Sequence, residues 1–300
     1  GQMIRHLKKQ RRKVPSTVVF TTGEYRYHRA WWVTVRGIED YARFGSVKAR
    51  WDKARQRITV QTENLDAMTL DLNALDPLAS VQLTIDGTHL VAPEGTGLAH
   101  LEKSPAWKLM SSPTPRNGRK RAGVSGPLDD IRLQPTIVVY GTQVPSEVEI
   151  NERVARWHAG VNRRTDISFP VRADHEVSEQ DLRAHSLILI GRPQTNSITA
   201  RVSKKLPVSF SPTDVSVRGI RHEGRDIGVS LINPSPFNQD RYVVLHAGVD
   251  FRGTLASRNL PEMSPDYLVY HAPRMAVQVG QTLLDQRQVL DGGFFDDRWR

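Results

Sequence analysis

Six polar residues have the types and positions to hold a ligand: Thr142, Arg192, Asn196, Asn233, Asn238 and His246. Thr142 follows Gly141 at the end of one apolar run, 136–140, and Arg192 and Asn196 follow Gly191 at the end of another, 187–190. In an open parallel sheet, ligands sit outside the carboxyl ends of the strands. A guanidinium, amides and a hydroxyl gathered there suit an anion, a sugar or a peptide, with Asn233 and Asn238 as neighbours. Asn and Thr also satisfy turns by bonding to nearby backbone, and that reading is preferred.

Sequence signatures of catalysis are mostly missing. The nearest string to a G-x-S-x-G elbow, Gly123-Val124-Ser125-Gly126, has the wrong spacing. Neither a G-x-x-x-x-G-K-[ST] nor a G-x-G-x-x-G phosphate loop occurs, and His175-Glu176 and His222-Glu223 lack the second histidine of a zinc helix. Ser230, Asp240 and His246 can be assembled into a triad on paper, but 10 histidines make such assemblies easy. No catalytic residue, metal ligand or cofactor is assigned. The aromatic group Tyr25, Tyr27, Trp31 and Trp32 offers a stacking surface for a sugar or a neighbouring domain. Alternation along a strand would point Trp31 and Trp32 opposite ways, placing at least one in the core.

These residues need a scaffold, and the composition supplies one. With 38% hydrophobic and 25% charged residues over 300 positions, the chain can bury a sizeable core. It has no cysteine, which excludes disulfides and thiol nucleophiles. No apolar run approaches the roughly 20 residues of a membrane helix. The net charge of +10 permits nucleic-acid contact, but the charge concentrates at 5–13 and 116–121. No reader motif accompanies it, so solvated segments are the preferred reading and nucleic acid is not expected as a partner.

Periodicity divides the chain. Residues 1–16 read as a basic helix, the remnant of an upstream domain. Over 17–110, short alternating runs such as Val47, Ala49 and Trp51 between Lys48 and Arg50, with Asp86-Gly87 as a hairpin turn, predict an antiparallel β-sandwich of immunoglobulin or fibronectin kind. Residues 111–130, rich in Pro, Gly, Ser and positive charge, read as a linker. Over 131–275 the order strand, helix, strand, helix, strand predicts an α/β domain with a mainly parallel, Rossmann- or flavodoxin-like sheet. Its first helix has Ser146 and Glu149 at capping-box spacing and Ile150, Val154 and Trp157 along one face. Its second opens at Ser178 with Asp181, and a third is capped by Asn196 or Ser197. The segment between 232 and 241 reads as a structured loop, and 276–300 as a tail with a helix or strand near 276–284. The fold class expected is therefore two-domain α+β.

Segments 18–22 (VVFTT), 29–35 (RAWWVTV), 58–64 (ITVQTEN), 81–87 (VQLTIDG), 126–130 (GPLDD) and 138–142 (VVYGT) carry a resemblance, most clearly with 233–248 (NPSPFNQDRYVVLHAG). Together they resemble the C-terminal half of large bacterial secreted hydrolases, the prolyl-oligopeptidase-like peptidases and esterases. The last segment is similar to that family's N-P-x-x-x-N-x-x-R-Y-V-V-L-N-S-G and departs from it at His246 and Ala247. In that family the nucleophile and its partners belong to an α/β-hydrolase module that would precede residue 1. The resemblance thus implies an accessory region, packing on or gating a catalytic module of the same parent chain, outside the cell or in the periplasm. A sugar- or peptide-binding module is the alternative, and an independent hydrolase with an unrecognised site is a third reading.

Overall fold

The computed structural model describes residues 13–160, 168–261, 263–272 and 289–300, which form two compact units, 1–115 and 116–300. Residues 1–12 of the expected basic helix at 1–16 and the element near 276–284 lie outside the described residues, and 13–16 are not helical.

In chain order the first unit contains β1 (Thr17–Thr22), β2 (Arg29–Ala30), β3 (Val33–Ile38), β4 (Gly45–Asp52), β5 (Arg57–Glu63), β6 (Leu65–Asp71), β7 (Val81–Ile85), β8 (Thr88–Ala92), β9 (Leu98–Lys103) and β10 (Trp107–Met110). They form two five-stranded sheets, β1-β4-β5-β7-β8 and β10-β9-β6-β3-β2. Alternation makes each sheet one-sided. In β4, Val47, Ala49 and Trp51 point inward while Lys48 and Arg50 stay exposed. The inward residues of both sheets merge into one core around Trp32, Val35, Ile58, Leu70 and Leu83. The unit is not purely antiparallel, because β5 and β7 run parallel. Between them the chain crosses to the other sheet as β6, so β7 can return beside β5 in the same direction.

Trp31 and Trp32 do not alternate along a strand. They form the two-residue turn between β2 and β3, where Ala30 pairs with Val33. Trp31 is exposed with φ +54°, and Trp32 is buried with its indole N–H donating to the Pro15 carbonyl at 2.9 Å. Tyr25 is buried too, its hydroxyl 2.5 Å from that of Tyr41, whereas Tyr27 is exposed. The aromatic group is thus split between core and surface.

The second unit contains β11 (Thr136–Tyr140), α1 (Val148–Ala159), β12 (Val171–Ala173), α2 (Glu179–Ala184), β13 (Ser186–Ile190), α3 (Ser197–Val202), β14 (Val208–Phe210), β15 (Asp214–Val217), β16 (Ile220–Glu223), β17 (Ile227–Ser235), β18 (Asn238–Gly248), α4 (Phe251–Ala256), β19 (Tyr267–His271) and β20 (Val289–Gly293). Strands β14–β16 make a small meander, and the other seven form one sheet in the order β12-β11-β13-β18-β17-β19-β20.

This sheet corrects the expected fold class. Contacts among β12, β11, β13 and β18 are parallel, but β18, β17, β19 and β20 pair antiparallel. Strands take 43% of the structure and helices 19%, spread over four sheets, so it is mostly β and not a Rossmann-like α/β domain. The physical reason is the connection between β17 and β18. Parallel neighbours need a crossover of a dozen or more residues, whereas antiparallel ones need only a tight hairpin. The segment expected as a loop is that hairpin: pairing continues out to Ser235 and Asn238.

The α1 face is displaced from expectation, since Asn151, Val154, Ala155 and His158 are buried while Trp157 is 38% exposed. Glu147 rather than Ser146 precedes α1, after a short 3-10 turn with Pro145 at its start, and no side chain caps it. Ser178 does cap α2, accepting from the Asp181 N–H, and Asn196 caps α3.

Residues 116–130 of the segment expected as linker and 289–300 of the expected tail are built into the second unit. Lys120 is fully buried against Asp266, and Ser125 and Gly126 donate their N–H groups to the Tyr242 hydroxyl. Past the undescribed stretch, β20 pairs with β19, and Phe295 and Trp299 are buried. Among the described residues, no helix is long and apolar enough to cross a membrane.

Candidate functional site

The carboxyl ends of β11, β12 and β13 bring together Thr142, Asp174, Arg192 and Asn196. Asp174, just past β12, is 2% exposed and is the hub. It accepts from the Thr142 hydroxyl at 2.6 Å, the Gln143 amide at 3.0 Å and the Ser197 N–H at 2.7 Å. Burial pushes its carboxyl upward, but the bonds from Ser197, Thr142 and Gln143 outweigh this and hold it below the usual carboxylate range.

Asn196 is fully buried and uses both ends of its amide. Its oxygen accepts from the N–H groups of Ile198 (2.9 Å) and Thr199 (3.0 Å), capping α3. Its nitrogen donates to the carbonyls of Val139 (3.2 Å) and Ile190 (3.0 Å), one on each of two adjacent strands. Arg192 makes a two-pronged contact with Glu147 at 2.9 and 2.8 Å. Backbone also fills the crevice. A Cβ on Gly141 would lie 2.2 Å from the Thr195 carbonyl oxygen, so only glycine admits this approach. The polar side chains at this edge are therefore bonded to each other and to backbone, as a clasp that ties three strands to α3.

Two of the remaining predicted residues lie elsewhere. Asn238 sits in the β17–β18 hairpin at the opposite end of the sheet, donating to the Arg183 carbonyl at 2.8 Å and accepting from the Asp240 N–H at 2.9 Å. Asn233 is opposite Val243 in the same hairpin, and its side-chain nitrogen has no partner among the described residues.

His246 is in register with Ile190 at the carboxyl end of β13, its carbonyl accepting from the Gly191 N–H at 3.0 Å, but its ring is buried beneath α1, stacked on His158 with centroids 3.9 Å apart and planes 10° apart. Its Nδ1 is 2.8 Å from the Ser230 hydroxyl, which lies 3.2 Å from the Tyr270 hydroxyl. On the other ring, His158 Nε2 is 3.0 Å from the Ser257 hydroxyl, and Ser257 donates to the Thr254 carbonyl at 2.7 Å. Burial, reinforced by Arg132 and Arg258, lowers His158 to about 3, and burial with the neighbouring His158 and Arg132 lowers His246 well below its ordinary value. Both rings are neutral at physiological pH.

Two Ser–His contacts thus exist, but neither histidine is hydrogen-bonded to a carboxylate among the described residues. Asp240, the paper candidate, pairs instead with Arg121 at 2.5 Å. The Ser257 proton is directed to backbone, and Ser230 is fully buried. A nucleophile needs an open approach and an oriented base, and neither serine has both.

Sequence reasoning overlooked Asp174, Glu147, His158, Ser257 and Tyr270. Asp174 carried the same signal as Thr142, a polar residue directly after a short apolar strand. His158 continues the i, i+3, i+4 stripe of Asn151, Val154 and Ala155. Ser257 and Tyr270 had no local signal. Among the described residues, no group of three or more His, Asp or Glu side chains is placed to hold a metal ion. Compared with known proteins, the chain matches no family model and no curated protein.

Proposed function

We propose that the chain is a non-catalytic accessory region of a serine-type hydrolase, acting as a scaffold that packs on or gates a catalytic module of the same parent protein. One observation carries the reading: the polar side chains at the strand ends bond to one another and to backbone, and both Ser–His contacts are sealed from solvent without a carboxylate behind them. The family resemblance of 233–248 supplies the class of parent enzyme. The geometry lends less support to the alternative of a sugar- or peptide-binding edge, because Asn233 and Asn238 lie away from Thr142, Arg192 and Asn196, the His246 ring is buried against His158, and Arg192 is neutralised by Glu147.

Incubation of the 300-residue chain with a broad fluorophosphonate serine probe tests the proposal. No stoichiometric adduct is expected. Labelling of one serine in proportion to protein, lost on denaturation, would overturn it.

A further inference from the structure

Lys120 and Asp266 lie far apart in sequence yet meet with both side chains fully buried. The pocket around them is aromatic: Lys120 Nζ is 4.9 Å from the centroid of the Trp299 ring and 5.9 Å from that of Phe294. One carboxyl oxygen, Oδ2, faces Nζ and accepts from the Phe295 N–H at 2.9 Å. The other, Oδ1, has no hydrogen-bond partner among the described residues. Gly126 is packed against it so closely that a Cβ there would lie 2.1 Å from Oδ1. Asp130, held by the Tyr242 hydroxyl at 2.5 Å, is near enough for its charge to bear on Asp266.

Two charges brought out of water into such a pocket cost more than their attraction returns unless every lone pair is satisfied. Oδ1 is not. Burial lowers Lys120 and raises Asp266, each towards its uncharged form. Both shifts favour the neutral pair, in which an amine nucleophile is held against a carboxylic acid electrophile in a dry site. Such positioning replaces a bimolecular encounter by an effectively unimolecular step.

We propose that Lys120 and Asp266 form an intramolecular isopeptide cross-link between Nζ and Cγ. Nζ attacks Cγ, and the Phe295 N–H holds Oδ2 where negative charge develops, as an oxyanion donor does. The Cγ–Oδ1 bond then breaks, and the departing hydroxyl takes one hydrogen from the nitrogen. The products are an amide and one water, so atoms balance without oxidant or co-reactant. Oδ2 becomes the amide carbonyl and keeps its bond to Phe295. The cross-link fastens the 116–130 segment covalently to the start of β19.

The test is mass spectrometry of the full chain after denaturation. The cross-linked chain weighs less than the sequence mass by one water, about 18 Da. Succinimides at Asp86-Gly87 or Asp291-Gly292 would give the same loss, so the decisive readout is the tryptic map. A branched peptide is expected in which Lys120-Arg121 is joined through the lysine side chain to residues 259–274. The Lys120→Met variant, which keeps a stem of similar length but has no amine to condense, is expected to lack this species while retaining the wild-type circular dichroism spectrum. Recovery of 259–274 only as a linear peptide from the wild-type chain, with trypsin cleaving after Lys120, overturns the proposal. The map reads the wild-type protein directly, so it stands even if the variant fails to fold.

Discussion

Replacing Asn196 by alanine separates a structural clasp from a ligand site. The side chain is fully buried and makes four hydrogen bonds, two to α3 amides and two to strand carbonyls. Loss of the cap costs about 1 kcal/mol. The Ile190 carbonyl retains its bond from the Gly141 N–H, so it loses a second partner and not its only one. Each strand bond is therefore worth the ordinary net value of about 0.5–1.5 kcal/mol. The sum for Asn196→Ala is about 2–4 kcal/mol. Asn196→Ser, which restores a capping oxygen but cannot span both strands, is expected to recover about 1 kcal/mol of that loss. Because the chain has two units, a single global transition is the wrong measure. Native-state hydrogen exchange at the amides of β13 and α3 reads the second unit directly. A loss of about 1 kcal/mol or less in Asn196→Ala, the cap value alone, would refute the claim that this side chain joins the sheet to the helix.

Other predictions concern the titrating groups. His158 is neutral in the folded chain down to about pH 3, whereas an unfolded histidine takes up a proton below about 6.5. Below that value the unfolded state binds more protons, so stability falls with pH by up to about 1.4 kcal/mol per unit for each such histidine and levels off below the folded value. Urea midpoints of the second unit's own transition from pH 7.5 to 4.5, compared between wild type and His158→Leu, should show a shallower acid slope in the variant; superimposable slopes would contradict a buried neutral stack. Asp174→Asn removes a charge-assisted acceptor from three donors and should cost about 1.5–3 kcal/mol at pH 7. Its wild-type contribution is full above the unfolded carboxylate value and disappears as pH falls through the lower folded one, so the two proteins should converge in acid. An undiminished gap at pH 2 would count against the assignment.

Local features were legible from the residues alone. The unbroken run at 187–190 marked a strand buried on both faces, Asp86-Gly87 marked a hairpin whose two residues adopt φ +48° and +83°, and Asn196 marked the start of α3. Each depends on interactions within a few positions, and periodicity and side-chain chemistry encode those directly. The pairing partner of a strand is not encoded that way. An apolar run reads the same whether its neighbour is parallel or antiparallel, so the β17–β18 hairpin and the mixed sheet emerged only in three dimensions. Charge misled for the same reason. Lys120 stands in a basic Pro- and Gly-rich stretch that reads as solvated, and it is buried because Asp266, Phe294 and Trp299 close over it from distant parts of the chain. His158 and His246 likewise meet only because α1 folds back over β18. The sequence by itself determined many of the local elements and the caps of α2 and α3; tertiary structure decided strand direction and which polar groups are buried together, because both depend on contacts between residues that no local pattern connects.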